Sequence, residues 1–402
     1  MNAPQTETGL QFSVALSTEP DTRSAIEDVC RQAATRLGGP ADLAMLFVSP
    51  QHGPEFESVA ASIAGRLEAK HLLGCTGESI VGGSREIEQQ PAIALWLARL
   101  PGVSIHGMYL EFEETPEGAT FTGWPDDLPD PWPPGAALIT LGDPFSFAVD
   151  AFLRRINEDH AGVPVVGGMA SGGFGPGQNR LWLDGNEFAS GAVAALVHGP
   201  LRIRSVVSQG CRPIGEHYVV TRSQRNVIQE LGGRPPLAHL QELFPTLPPR
   251  EQQLVQRGLH VGRVINEYQD HFGRGDFLVR NVIGADPGSG AIAIGELIRP
   301  GQTVQFHVRD AESADEDLRH LVSQARTGSA APPLGALLFT CNGRGTRLFQ
   351  QPNHDAGVIQ ESLGEIPLAG FFAQGELGPI GGQNFIHGFT ASVVLFERTE
   401  HG

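Results

Sequence analysis

The sequence predicts an α/β protein in which β-α-β-β units repeat, forming mixed sheets flanked by helices and divided between two domains. Three observations predict it. An apolar strand, an amphipathic helix, a second strand and a glycine loop recur in that order three times. The spacing from strand end to loop glycine is nearly constant: 26 residues from Val48 to Gly74, 26 from Leu141 to Gly167 and 30 from Thr340 to Gly370. The loops GESIVGG (77–83) and GELGPIGG (375–382) share a Gly-Glu pair and a closing Gly-Gly.

In the first copy LAMLFVSP is the strand, and EFESVAASIAGRLE puts Phe56, Val59, Ala60, Ile63 and Leu67 on one helical face. HLLGCTGES supplies the second strand and its loop. The second copy runs from ALITLGDP through a helix with Val149, Phe152, Leu153 and Ile156 inward to VPVVGGMASGG. Asp143 and Pro144 there suit an N-cap and a first helical position. The third copy is ALLFTCNG, a shorter helix through Val358, Ile359 and Leu363 closed by Gly364, and PLAGFFAQGE. Each copy then enters a further apolar strand, AIALWLARL, GAVAALVHG or IHGFTASVVLF, so parallel and antiparallel pairing are mixed.

Between copies two and three a strand, a turn and a strand lead to a proline-punctuated helical region ending near Gly258. That shift in composition sets a domain boundary near Arg222, giving domains 10–222 and 223–396. FLVRNVIGADPGSGAIAIGELI then reads as a hairpin about Asp286 to Gly290, QTVQFHVRD as a strand, and AESADEDLRHLVSQA as a helix entered through acidic residues.

At 402 residues with 40% hydrophobic content, the chain is long enough for two or three cores. A net charge of −17 with no basic stripe argues against nucleic acid and anionic membranes as partners. The N-terminus lacks a basic region followed by an apolar one, and nowhere do about 18 apolar residues run together, so a cytoplasmic protein is expected. Cys30, Cys75, Cys211 and Cys341 are scattered without a CxxC pair, which suits neither a disulfide framework nor a zinc site. No GxxxxGK[ST], HExxH or GxSxG is present, and no cofactor or metal is expected.

The candidate chemistry lies at strand ends. In LLFTCNGRGTRLF an apolar strand runs out into Cys341, Asn342 and Arg344 set among glycines, where backbone can approach a ligand closely. The same stretch also reads as a plain turn with a buried thiol and a surface arginine. GFFAQGELGP offers Phe372, Gln374 and Glu376, the last as a carboxylate in a Gly-Pro loop. Asn384 and His387 stand three apart on an apolar strand. Cys75, Thr76 and Glu78 occupy the related loop of the first copy, and Cys211, Arg212, Arg280 and Asn281 are further residues that could reach a central site.

At CNGRG, PLAGFFAQGELGP and NFIHGFTASVVLF, preceded by FLVRNVIGAD and VQFHVRD, the chain resembles the FIST family. The N-terminal part is similar too, through LFVSP, LLGCTGESIVGG, VPVVGGMASGG and SQGCRPIG. The resemblance covers residues 12–396 and implies an N-terminal and a C-terminal FIST domain. It further implies a sensory module for a small ligand, with amino acids a proposed class, acting in signalling with a protein partner. Its motif positions fall on Cys341, Asn342, Gly343, Arg344, Gly345, Phe372, Gly375, Glu376, Asn384 and His387.

Three functions are then expected in turn. In a stand-alone binding module, Arg344 takes a ligand carboxylate, Glu376 an ammonium, and Asn342 or Asn384 fixes orientation. In an enzyme, Cys341 is the nucleophile and His387 its base. In a protein-interaction scaffold, PDDLPDPWPPG (125–135) and the helical insert are the surfaces.

Overall fold

The computed structural model describes residues 9–67, 69–116, 118–269, 271–273, 275–329 and 331–399. The first eight residues, where the absence of a leader is read, lie outside them. The chain divides into two compact units. One comprises residues up to Val207, Leu318–Ile386 and the chain from Thr390 onward; the other comprises Ser208–Asp317 with His387–Phe389.

The first unit holds the three copies, each built as a sheet. In the first, the strand Ala41–Val48 is apolar along nearly its whole length and buried on both faces, as a strand flanked by parallel and antiparallel partners requires. It pairs parallel with Ala69–Thr76 across the helix Phe56–Ala64 and antiparallel with Ile93–Arg99. Ala137–Gly142 and Val165–Met169 repeat this across the helix Val149–Asp159, and Gly335–Cys341 and Leu368–Ala373 repeat it across His354–Leu363. The antiparallel neighbours are Ala192–His198 and Ala391–Arg398.

The glycines that mark the repeat have a shared physical cause. A Cβ on Gly74 would stand 2.6 Å from the Leu46 carbonyl oxygen, on Gly167 1.9 Å from that of Thr140, and on Gly370 1.8 Å from that of Leu338. At these three positions the second strand therefore lies too close to the first for any side chain.

The hairpin that follows each second strand leaves its own sheet. Ser79–Gly82 of the first copy pairs with Leu368–Ala373 of the third, Leu181–Leu183 of the second pairs with Ala69–Thr76 of the first, and Glu376–Ile380 of the third pairs with Val165–Met169 of the second. The exchange is cyclic and binds the three sheets into one body. A central core of Phe47, Trp96, Ile139, Leu141, Phe339, Phe371 and Phe396 fills the space between them. The helices lie outside on separate apolar layers.

A helix absent from the sequence reading, Thr22–Leu37, begins at Asp21, whose carboxylate accepts from the Ser24 amide at 2.9 Å, and ends at Gly38 with φ +71°. The expected cap at Asp143 is corrected. The second-copy helix starts at Val149, and Asp143 instead accepts from the Phe145 amide at 3.2 Å and the Ser146 hydroxyl at 2.7 Å in the turn before it. Gly364 does close the helix His354–Leu363.

The second unit is a closed barrel in the strand order Cys211–Gln224, Val227–Leu231, Ile292–Ile294, Phe277–Ala285, His260–Val264 and Thr303–Arg309. The hairpin about Asp286 forms as expected. Helices Pro236–Leu243 and Pro249–Arg257 contribute Leu237, Leu240, Leu243 and Leu254 to its core. Arg222 lies inside the strand Cys211–Gln224. In sequence the barrel is an insertion in the third copy, between the strand Leu201–Ser208 of its sheet and the strand Gly335–Cys341.

Candidate functional site

The ends of the parallel strands from all three copies meet in the first unit. Ser171, just past Val165–Met169, donates its amide to the Thr76 carbonyl at 3.1 Å and its hydroxyl to the Phe372 carbonyl, and accepts from the Glu78 amide at 2.7 Å. The Gln374 amide donates to Met169 at 3.0 Å, and the Asn342 amide to Ala373 at 3.0 Å. One serine and a few backbone groups thus join the loops of copies one, two and three.

Beneath them lies a buried charge cluster. Arg344 is 0% exposed and pairs in bidentate fashion with Asp355 of the helix His354–Leu363, Nε to Oδ2 2.7 Å and Nη2 to Oδ1 2.8 Å. Thr340 donates to Asp355 at 2.6 Å, and His354 Nδ1 lies 2.9 Å from its other oxygen. Burial alone would raise the Asp355 pKa, but the Arg344 guanidinium outweighs it and holds the carboxyl well below its usual range. Burial likewise opposes the charged form of Arg344, yet Asp355 turns the net shift upward, with smaller contributions from Cys341 and Glu86.

Glu86, on the strand Arg85–Glu88, accepts from the Ala356 amide at 2.8 Å through Oε1, while its buried Oε2 has no hydrogen-bond partner. Burial first, and then the negative Asp355, push its pKa up to about 8. Glu88 of the same strand receives the Thr346 amide at 3.0 Å and hydroxyl at 2.6 Å. That contact fixes the turn at Gly345, whose φ of +59° favours glycine and where a Cβ would stand 2.7 Å from the side chains of Glu88 and Phe372.

At the surface, Arg347 forms an ion pair with Glu78 and donates to the Asn342 carbonyl at 2.7 Å. The two side chains are 48% and 25% exposed and come from copies three and one. Cys341 is half-buried beside them; its sulfur accepts from the Gly343 amide at 3.5 Å, and it acts electrostatically on both Arg344 and Arg347.

The structure thus brings together Cys341, Asn342, Gly345, Gln374 and Glu78, with Gln374 exposed. Other candidates are placed differently. Arg344 is committed to Asp355 rather than presented at a surface. Glu376 is not in a loop but starts the strand Glu376–Ile380, fully buried, with Oε2 3.2 Å from the Thr390 amide. Phe371 and Phe372 point to opposite faces and both are core, one central and one beneath the helix His354–Leu363.

Cys75 is fully buried in the central core, and burial raises its thiol well above the ordinary range. Thr76 accepts from the Arg180 amide at 3.1 Å. Asn384 spends its amide structurally, accepting from Val165 at 2.8 Å and donating to Asn157 and Val163 at 2.9 Å. His387 is buried; it is counted with the second unit, to which the half-buried Cys211, Arg212 and Arg280 and the exposed Asn281 also belong. In the barrel Arg280 lies 3.3 Å from Glu296, and Arg212 pairs with Glu251 and Asp310. The 125–135 segment is not a simple solvated connection, since Trp132 is 8% exposed and stacks on His160 at 3.8 Å.

Sequence reasoning missed Arg347, Ser171, Asp355, Glu86 and Glu88. Arg347 and Ser171 lay inside quoted motifs and could have been found by superposing the three strand ends; the acidic residues gave no local signal. Among the described residues no group of three or more His, Cys, Asp or Glu is placed to hold a metal ion, and no helix is long and apolar enough to cross a membrane.

Comparison with known proteins agrees with this architecture. The FIST N domain matches residues 42–234 and the FIST C domain residues 236–379. An uncharacterized protein of Mycobacterium tuberculosis is 45% identical over 388 residues, covering 96% of this chain and 100% of its own. One of Mycobacterium bovis is 43% identical over 388 residues, covering 96% and 99%. The chain therefore belongs to the FIST family, whose domains are associated with small-ligand sensing in signalling.

Proposed function

We propose that the protein is a cytoplasmic sensor that binds a small zwitterion, an amino acid or a close relative, where the three strand ends meet, and passes the bound state to a signalling partner. The observation that carries this reading is the Arg347–Glu78 pair. It sets a cation and an anion side by side, half-exposed, on loops of two different copies. An exposed ion pair contributes only about 0–1 kcal/mol, so it opens at little cost. A ligand carboxylate then takes Arg347 in bidentate fashion and its ammonium takes Glu78, with Asn342 and Gln374 at hand for orientation. Arg347 and Glu78 replace Arg344 and Glu376 in these roles, because the latter two are buried and engaged in the interior.

Thermal unfolding against a panel of amino acids and organic acids tests this. A ligand at about a hundred times its Kd adds about 2.7 kcal/mol, a shift of several degrees. The shift is expected in wild type and lost in Arg347→Ala and Glu78→Gln. A shift that survives both variants overturns the assignment.

A second reading is favoured by one observation, the placing of Cys341 beside two guanidiniums, the surroundings in which a thiol becomes nucleophilic. In that reading Cys341 forms a covalent adduct with an electrophilic ligand. Mass spectrometry after incubation with a mild electrophile tests it, and an unmodified Cys341 removes it.

A further inference from the structure

A second concave site lies in the first unit, where the segment around Trp124 to Trp132 folds over the helix Val149–Asp159. The cleft measures about 590 Å³, within the range of small-ligand sites. Phe121, Trp124 and Trp132 are among its walls. Trp132 is backed by His160, stacked at 3.8 Å, and Trp124 by Phe152 at 6.1 Å, so the indoles are held rigidly.

The polar rim is negative on balance. Arg155 and Asp159 neutralise each other in an ion pair. Burial keeps His160 below its ordinary pKa despite nearby carboxylates, so it is uncharged at neutral pH. Asp130 remains: it is exposed, lies close enough to act on His160, and has no ion-pair partner among the described residues. Aromatic faces and an uncompensated carboxylate both attract a cation and both repel an anion.

We propose that the cleft lined by Trp124, Trp132 and Asp130 is a second ligand site, for a small organic ammonium ion. The ammonium sits against the indole faces with Asp130 as counter-charge, and its apolar groups meet Phe121 and the neighbouring aliphatic wall. The site shares no residue with the Arg347–Glu78 pair and stands apart from the function proposed there.

The test uses choline on the full chain, with the uncharged isostere 3,3-dimethylbutan-1-ol as control at matched ionic strength. Calorimetry reads binding and tryptophan fluorescence locates it, because Trp96 and Trp182, the other two tryptophans, are 0% exposed in the interior. Choline is expected to give a saturable signal in both, with the alcohol about tenfold weaker. Asp130→Asn, an exposed change, is expected to weaken choline by about threefold to tenfold and leave the alcohol unaffected. Trp124→Phe, which keeps the packing, should reduce the fluorescence response, and Arg347→Ala should change nothing. Equal binding of the two probes, no saturable signal with choline, or an Asp130→Asn protein that binds choline like wild type overturns the proposal.

Discussion

Arg344 and Asp355 face each other with both side chains 0–1% exposed, joined by two hydrogen bonds of 2.7 and 2.8 Å. The arginine of the CNGRG tip is therefore a structural ion and the loop above it is held from below. Removing one member of a buried pair leaves the other charged and unpaired, at a cost of about 3–5 kcal/mol. Arg344→Ala is expected to lose that much in urea unfolding, whereas Arg347→Ala at the surface loses less than about 1 kcal/mol. Arg344→Met combined with Asp355→Leu should recover most of the loss. An Arg344→Ala protein as stable as wild type would show that the pair does not hold the loop.

Stability should also depend on pH through Glu86. Its carboxyl is raised from an ordinary 4.5 to about 8, so the folded protein binds a proton that the unfolded chain releases. The contribution is fully present below about pH 4.5 and is lost as pH rises through about 8. Asp355 acts in the opposite sense: its lowered pKa gives stability above its ordinary range that disappears as pH falls through and below it. Glu86→Gln removes the alkaline loss and keeps the shape. Urea midpoints from about pH 5 to about pH 9 should therefore fall more steeply for wild type than for Glu86→Gln. Parallel profiles would refute the role given to Glu86.

The repeat was legible because its cause is local. Gly74, Gly167 and Gly370 recur where two adjacent strands touch, and the helix between them fixes the spacing. The exchange of hairpins was not legible, since Ile80 pairs with Phe371 nearly three hundred residues away and nothing in either strand names the other. Of the barrel, Cys211–Gln224, the hairpin about Asp286 and Thr303–Arg309 were legible, but the strand Val227–Leu231 lies in a stretch that reads as helical and His260–Val264 gave no reading. The insertion was hidden because closure joins Cys211–Gln224 to Thr303–Arg309. Within CNGRGTR (341–347) the chain could not reveal which of its two arginines is buried. That is decided by Asp355, eleven residues beyond Arg344, and by Glu78 from another copy, which draws Arg347 outward.

The glycines give a sharp contrast. Gly370→Ala would put a methyl 1.8 Å from the Leu338 carbonyl oxygen, and backbone cannot yield that far without parting the strands. A loss above about 3 kcal/mol is expected, or no folding. Gly357, inside the helix His354–Leu363, has nothing within 4 Å of the same position. Gly357→Ala is expected to stabilise by about 0.5–1 kcal/mol through helix propensity. Thermal unfolding of the two variants checks both signs, and a tolerated Gly370→Ala would contradict the strand contact that defines the repeat.

The four thiols should separate by environment. Burial raises Cys30 to about 11 and Cys75 well above its ordinary range, so neither offers thiolate at neutral pH. Cys211 and Cys341 are both half-buried, and exposure alone does not rank them. What distinguishes Cys341 is its interaction with Arg344 and Arg347, the second of which can be removed without opening the buried cluster. Timed iodoacetamide labelling read by peptide mass spectrometry should modify Cys341 first, then Cys211, with Cys30 and Cys75 unmodified while the protein stays folded. In Arg347→Ala the Cys341 rate should fall about threefold or more while the Cys211 rate holds, because only the former loses a nearby cation. If Cys211 reacts first, or if Cys341 is indifferent to Arg347, the thiol is a bystander at the loop junction.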